Sequence, residues 1–274
     1  PCAVELGGPQ GHEGLMLWPH ICGMKHILTV LLLVPAVIWG QVINTDRPDQ
    51  TESSAVVPLG SFQWECGFSS SWESGFGGNI RSMALPNSLF RVSVLEGIEL
   101  RVVHQLDRIS QHSFGNDEVL TEGTSDVQLG TKIQLYQREG KKTEIAYLGH
   151  AVAPTGDAGV TEYDWGMVNK LCISHDVGPD WALGYNLGLD LVRGSSVATY
   201  AVAVGKSIND KLGLYFEPYG EYDTARGIHW ASFDAGITML ASDTWQWDIS
   251  YGTGLNHRMN YTAIGFSWLV LPNR

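Results

Sequence analysis

The sequence predicts an all-β fold: a closed, up-and-down antiparallel transmembrane β-barrel of about 12 strands, preceded by a signal peptide and a short polar leader. Three observations predict it. Residues Trp181–Val192 alternate, with Trp181, Leu183, Tyr185, Leu187, Leu189 and Leu191 on one face and Ala182, Gly184, Asn186, Gly188 and Asp190 on the other. A strand of that length spans a bilayer when tilted. The same pattern returns from Ser61 almost to the C-terminus, with turn residues between repeats. The composition agrees: 10 Trp, 10 Tyr and 32 Gly beside only 17% charged residues suit strands and tight turns better than helices.

Taken in order, residues 1–23 show no periodicity and read as an upstream extension that is not native. Residues 24–40 read as a signal peptide: Met24, then Lys25 and His26, an apolar run Ile27–Ile38, and Gly40 before Gln41. That run is too short to cross a membrane as a helix, so it predicts export. Residues 41–60 form a polar leader in which Pro48 and Pro58 oppose a ladder. Cys2 and Cys22 fall in the discarded segment, while Cys66 and Cys172 lie on different strands and do not form a disulfide framework.

The barrel is expected over residues 61–274. In Ser61–Trp72, Phe62, Trp64, Cys66 and Phe68 oppose Gln63, Glu65 and Gly67. Strands follow at Leu89–Leu95, Ile98–Asp107, Asp126–Gln137, Thr143–Ala153, Gly166–Asp176, Trp181–Val192, Val197–Ile208, Lys211–Tyr222, Trp230–Leu240, Thr244–Leu255 and Tyr261–Val270. The stretches Glu73–Ala84, Ile109–Gly123 and Pro154–Trp165 read as long polar loops, alternating with short turns such as Glu96-Gly97 and Gly178-Pro179-Asp180. With the N-terminus in the periplasm, the long loops are extracellular, as in outer-membrane barrels. A soluble barrel would have to place the charged face in a dry core, which is very costly, whereas a watery lumen accommodates it.

That charged face supplies the candidate lumen residues: Glu65, Arg91, Glu99, Arg101, Asp126, Lys132, Glu144, Asn186, Asp190, Glu217, Glu221, Asp234 and Asp248. Mixed signs suggest a salt-bridged interior, and rings of charge can select permeants by sign. The leader residues Asp46, Arg47, Asp49 and Glu52 are candidates for a lumen plug, with Arg47 expected to meet acidic residues and Asp49 or Glu52 to meet Arg101 or Lys132.

A net charge of −12 argues against nucleic acid as a partner. His112, His150, His175, His229 and His257 are scattered, so no metal site is indicated, and no phosphate-binding loop or other cofactor motif is present. A membrane-embedded lipid hydrolase would need Ser and His together on the lipid-facing rim; His104 falls on an apolar face, but no spacing ties it to Ser70 or Ser93. No catalytic residue is assigned.

Thr45-Asp46-Arg47-Pro48-Asp49, Thr51-Glu52-Ser53 and Val57-Pro58-Leu59-Gly60 before a strand with Glu65 and Gly67 resemble the opening of the outer-membrane family named for the meta-pathway of phenol degradation. Ser125–Lys132 resembles that family's Gly-Asp strand, with Ser125 where Gly is commoner, and Ala153-Pro154-Thr155-Gly156 resembles its Pro-Thr-Gly strand end. The resemblance implies a bacterial outer-membrane barrel, in contact with lipid, that passes small molecules, aromatic or hydrophobic ones among them. The function expected is therefore passive transport through a channel. The alternatives are a closed structural or adhesive barrel whose long loops bind partners, and the hydrolase.

Overall fold

The computed structural model describes residues 43–75, 78–113, 116–138, 140, 142–192 and 194–272. The upstream extension and signal peptide expected over 1–40 lie outside the described residues. The chain forms β1 (Phe62–Gly75), β2 (Gly78–Leu95), β3 (Ile98–Ser113), β4 (Asn116–Thr124), β5 (Val127–Tyr136), β6 (Thr143–Ala153), β7 (Gly166–Gly178), β8 (Trp181–Val192), β9 (Ser195–Asn209), β10 (Leu212–Asp223), β11 (Ile228–Ser242), β12 (Trp245–Gly254) and β13 (Met259–Val270).

These make one 13-stranded antiparallel sheet in which β1 pairs with β13 as well as β2, and β2 with β3, so the ring is closed. β4 and β5 share one stave: β5 pairs with the first half of β3 (Ile98–Val103) and β4 with its second half (Leu106–Ser113). The wall is therefore a closed barrel of 12 staves, one of them interrupted at Ser125–Asp126. Closure removes the two edges that lipid could not hydrogen-bond.

Polarity is inverted relative to a water-soluble core. Arg91, Arg101, Lys132, Glu65, Glu99, Glu217 and Asp234 are among the largest fully buried side chains, whereas Leu129, Leu135, Leu187, Ile249 and Ile264 are exposed. Water-soluble domains almost never bury that many charges, and a barrel with lipid outside and a polar interior does so by construction. Aromatic rings gather towards the end that carries the 96–97, 179–180 and 243–244 turns: Trp245 stacks on Phe266 at 5.0 Å, and Lys206 sits 4.8 Å from the Trp181 ring. We call this the leader end and the opposite one the far end. Tight turns there need φ > 0, supplied by Gly97 and, unusually, by Asp180 (φ 62°).

The expected loops Glu73–Ala84 and Ile109–Gly123 are corrected. β1 and β2 remain paired out to Gly75–Gly78, and β3 and β4 to Ser113–Asn116, so both are hairpins that continue the wall. Their sequences lose alternation because neither face needs to be apolar outside the bilayer, although the ladder persists. Residues 154–165 form the expected loop. It folds onto β4, where Asp157 accepts the Thr124 N–H at 2.8 Å. Asn169 does break the apolar face of β7; its amide is satisfied by the Tyr147 hydroxyl (2.6 Å) and the Leu189 carbonyl (3.2 Å), so no polar atom of that pair is left bare towards lipid. Cys66 and Cys172 are free, on opposite faces of the wall.

Candidate functional site

The leader lies inside the barrel. It enters at the leader end, where Ile43 N–H donates to the Asp243 carbonyl (2.8 Å), climbs to a tip at Arg47–Gln50, and returns to β1 past Val57, whose N–H donates to Glu99 (2.8 Å). A polar segment without a ladder must find other partners for its backbone, and inward side chains of the wall provide them. Glu65 accepts the Asp46 N–H at 3.0 Å, Glu217 the Gln50 N–H at 2.6 Å, and Asn186 both accepts the Glu52 N–H (2.6 Å) and donates to the Glu52 carbonyl (3.0 Å). Arg91 donates to the carbonyls of Asn44 (3.1 Å) and Ala55 (3.0 Å), and Gln246 to the Thr45 hydroxyl (2.9 Å).

The hub of the ionic network is Asp46. Its carboxylate meets Arg101 at 2.6 Å, Lys132 at 2.8 Å and Arg91 at 3.3 Å. Glu52 adds a bond to Arg101 at 2.8 Å, and Glu65 and Glu99 each meet Arg91 at 2.9 Å. Three cations thus face four carboxylates across β1–β5, and two of those carboxylates belong to the leader. On the opposite flank Arg47 pairs with Asp248 at 2.9 Å. Its guanidinium lies against Gly67 and Gly265, register partners on β1 and β13, so closely that a Cβ at either would come within 2.5 Å of it. Those two glycines are the notch that lets Arg47 cross to Asp248.

Most of the inward residues read from the alternation face the lumen: Glu65, Arg91, Glu99, Arg101, Lys132, Asn186, Glu217 and Asp248 touch the leader, and Asp190 and Glu221 line space beyond it. Glu144 sits beside it, its carboxylate accepting from Gln137 (2.8 Å) and Ser54 (3.4 Å). Asp234 is buried next to Glu217 across the β10–β11 ladder. Asp126 is a correction. It occupies the break between β4 and β5, where it accepts the N–H groups of Gly156 and Glu162, each at 2.8 Å, and pins the 154–165 loop. It leaves the ladder because those donors replace the ladder's own. Burial pushes its carboxyl up, but the Glu162 and Gly156 donors outweigh burial and hold it below the usual carboxylate range. Asp126→Ala should free the loop at a cost of about 1–3 kcal/mol in local stability, read as faster proteolysis within 154–165. Because the pKa is depressed, this anchor is intact above the ordinary value of 3.8 and is lost as pH falls through the lowered one.

Leader pairing differs from expectation at one residue. Glu52 meets Arg101, but Asp49 meets neither Arg101 nor Lys132; the charges acting most strongly on it are Glu217 and Asp234. Asp46, three residues earlier, takes the cationic side. Backbone N–H donors of Gln50, Glu52 and Val57 also do work that sequence reasoning missed, and no side-chain pattern announces them.

Open space remains around the leader. At the far end a cavity of about 530 Å³ is bordered by Lys170, Asp190, Tyr219, Glu221 and Trp230. A second, of about 420 Å³, lies between the leader and β1–β3 and β13. A third, of about 380 Å³, opens at the leader end against Ala182, Gly205, Gly213 and Tyr215. Arg47, Pro48 and Asp49 border both the second and the third, so the tip of the leader is the partition between them. Space survives along β8–β10 because the inward positions there are small: Ala182 faces Gly205, and Gly184 faces Ala203.

On the lipid side, His104 is the register partner of Ser88, not of Ser70 or Ser93. Ser88 is buried, accepts from Trp64 Nε1 (3.4 Å) and donates to Cys66 Sγ (3.7 Å). Ser70 accepts from Arg81 (3.2 Å).

The fold and the charge-lined interior define a β-barrel of the bacterial outer membrane with a leader folded into its lumen. The chain belongs to the family described as "Putative MetA-pathway of phenol degradation", which it matches over residues 45–268. Among solved structures, an outer membrane channel from Pseudomonas putida F1 is similar at 11% identity and a TM-score of 0.67, covering 81% of this chain and 100% of that one. The β domain of the Bordetella autotransporter BrkA (11% identity, TM-score 0.51, 76% and 99% covered) and the KdgM porin (7%, 0.50, 74% and 98%) share the architecture. A search of curated proteins finds no match.

Proposed function

We propose that the barrel is a channel for passive passage of small molecules across the outer membrane, and that residues 43–58 obstruct it from the periplasmic side. The observation that carries this reading is the partition at Arg47–Asp49, which separates cavities opening towards opposite ends of one lumen. The leader is held by hydrogen bonds and ion pairs to side chains rather than by a strand ladder, so it can leave without opening the wall. Rigid staves around a separately attached obstruction suit a gated path better than a closed adhesive barrel, whose lumen would gain nothing from cavities on both sides. Chemistry on the lipid face is disfavoured because Ser88, the serine opposite His104, is covered by Trp64. Membership of the family and the likeness in fold to an outer membrane channel support the reading.

The test is electrical. In planar bilayers, protein lacking residues 43–58 should conduct severalfold better than the intact chain, and liposomes carrying it should swell faster in small solutes. Equal conductance of the two would remove the leader from the gate.

A further inference from the structure

Asp46 occupies a pocket that fits a carboxylate from every side. Its Oδ2 accepts from Arg101 Nη1 (2.6 Å) and Lys132 Nζ (2.8 Å) and lies 3.3 Å from Arg91 Nη1. Its Oδ1 accepts from Lys132 Nζ (2.9 Å) and the Ser53 N–H (2.8 Å). The three cations stand on β2, β3 and β5, whereas the carboxylate belongs to the leader. The wall is thus the receptor and the leader supplies the group it holds.

What each cation keeps without the leader differs. Arg91 pairs with Glu65 and Glu99, both wall residues. Arg101 keeps Glu99 through Nη1 (2.8 Å) and His150 through Nε (3.1 Å), but its Nη2 donates to Glu52 of the leader (2.8 Å). Lys132 keeps nothing: among the described residues its ion pairs are with Asp46 and Glu52 (3.6 Å), and its hydrogen bonds go to Asp46. The wall's own acids are already engaged. Glu99, the register partner of Lys132 across β3 and β5, accepts from Arg91 Nε and Nη2 and from Arg101 Nη1. Glu65 accepts from Arg91 and Gln63. Once the leader withdraws, three cations face two carboxylates, and the ammonium of a lysine that was 0% exposed has lost its counter-charge. A charge stripped of its partner in such a place is costly, and an entering anion offsets that cost.

The pocket can be reached from outside. Asp46, Glu52 and Arg101 border the cavity of about 420 Å³, which shares Glu73, Tyr219 and Met259 with the far-end cavity of about 530 Å³. A solute entering there meets the Arg101–Glu52 pair first, where the Glu52 side chain is 19% exposed.

We propose that Arg91, Arg101 and Lys132 form a binding site for the carboxylate of a small organic acid, that Asp46 fills this site as a tethered stand-in, and that carboxylate solutes open the channel by competing with it. The class follows from the occupant. Guanidinium and ammonium donors engage both oxygens of one planar group, an arrangement that a spherical chloride does not match. Its tether gives Asp46 an effective concentration on the order of millimolar or above, so free acids compete in that range rather than at trace levels. Opening by competition rests on the channel reading; carboxylate binding does not.

Chemical rescue tests the site by itself. In detergent, full-length Asp46→Ala, which vacates the pocket, should have a Tm several degrees higher in sodium acetate than in sodium chloride at equal ionic strength, because a ligand stabilises the state that binds it. The intact protein should show only the smaller shift that acetate exerts through exclusion from protein surfaces, and so should Asp46→Ala combined with Lys132→Gln. Lys132 has no wall partner, so its replacement breaks no pair within the wall. In planar bilayers the intact chain should open severalfold more often as acetate replaces chloride, reaching a plateau, and Lys132→Gln should raise the basal conductance and abolish its dependence on acetate. Rescue of Asp46→Ala when no form of the protein conducts keeps the site and overturns the channel. Rescue beside an intact channel that ignores acetate overturns the competition. Equal acetate shifts in all three proteins overturn the site, whether or not the protein conducts.

Discussion

Asp46→Ala should open the barrel almost as far as deletion of the leader does, while leaving the wall folded. The charge balance decides this. In the intact protein Arg91, Arg101 and Lys132 face Asp46, Glu52, Glu65 and Glu99. When the leader leaves with Glu52, Arg91 keeps Glu65 and Glu99 and Arg101 keeps Glu99, and water entering the opened lumen solvates the remaining charge, so the wall stays folded. Breaking a buried pair costs about 3–5 kcal/mol, and here nearly all of it falls on docking of the leader, since Asp46 also bonds the Ser53 N–H and fixes the leader's turn. Arg101→Ala is the contrasting case. It leaves two cations against four carboxylates and leaves Glu52 only its longer contact to Lys132 at 3.6 Å, so it should lower the barrel's own Tm more than Asp46→Ala does. Single-channel conductance and Tm measured on both variants check the division. An Asp46→Ala protein that conducts like the intact chain would place the obstruction elsewhere than in these ion pairs.

The same residues show how far the sequence carries. Alternation at Glu65, Glu99, Arg101 and Lys132 announces a wet interior because charge cannot face lipid, and the structure buries all four in the lumen. What alternation cannot choose is a partner. Asp46 and Asp49 are the same chemical group three residues apart, and only the path of the folded leader sends one to the cations and the other to Glu217 and Asp234. Alternation also fails at both limits of its physical cause. It vanishes in Glu73–Ala84 and Ile109–Gly123, where the wall rises beyond the bilayer and neither face needs to be apolar, so paired strand there reads as loop. It misleads at Asp126, where the period places the side chain inwards but the chain has stepped out of the ladder to hold Gly156 and Glu162. The glycine notch of Gly67 and Gly265 is visible only once β1 and β13 are known to be neighbours, a contact between the two ends of the barrel.

The assignment of faces has its sharpest test at adjacent residues of β8. Leu187 is 59% exposed and Asn186 is 3% exposed, near the middle of a strand that runs from Trp181 to Val192. Leu187→Arg should destabilise the barrel by about 2–4 kcal/mol, the cost of holding a guanidinium near mid-bilayer, and shift the urea midpoint of folding in vesicles downwards. Its conductance, in the fraction that folds, should match the unmodified channel, since nothing in the lumen has changed. Asn186→Arg reverses both expectations. The new cation stays in water and within reach of the lumen's acids, so the folding midpoint should move little. It forfeits the paired bonds to the Glu52 N–H and carbonyl, however, and thereby loosens the returning arm of the leader. Conductance should rise. Equal loss of stability in the two proteins would mean that both residues meet the same medium, and the inside–outside order of the wall would then be wrong from β8 outwards.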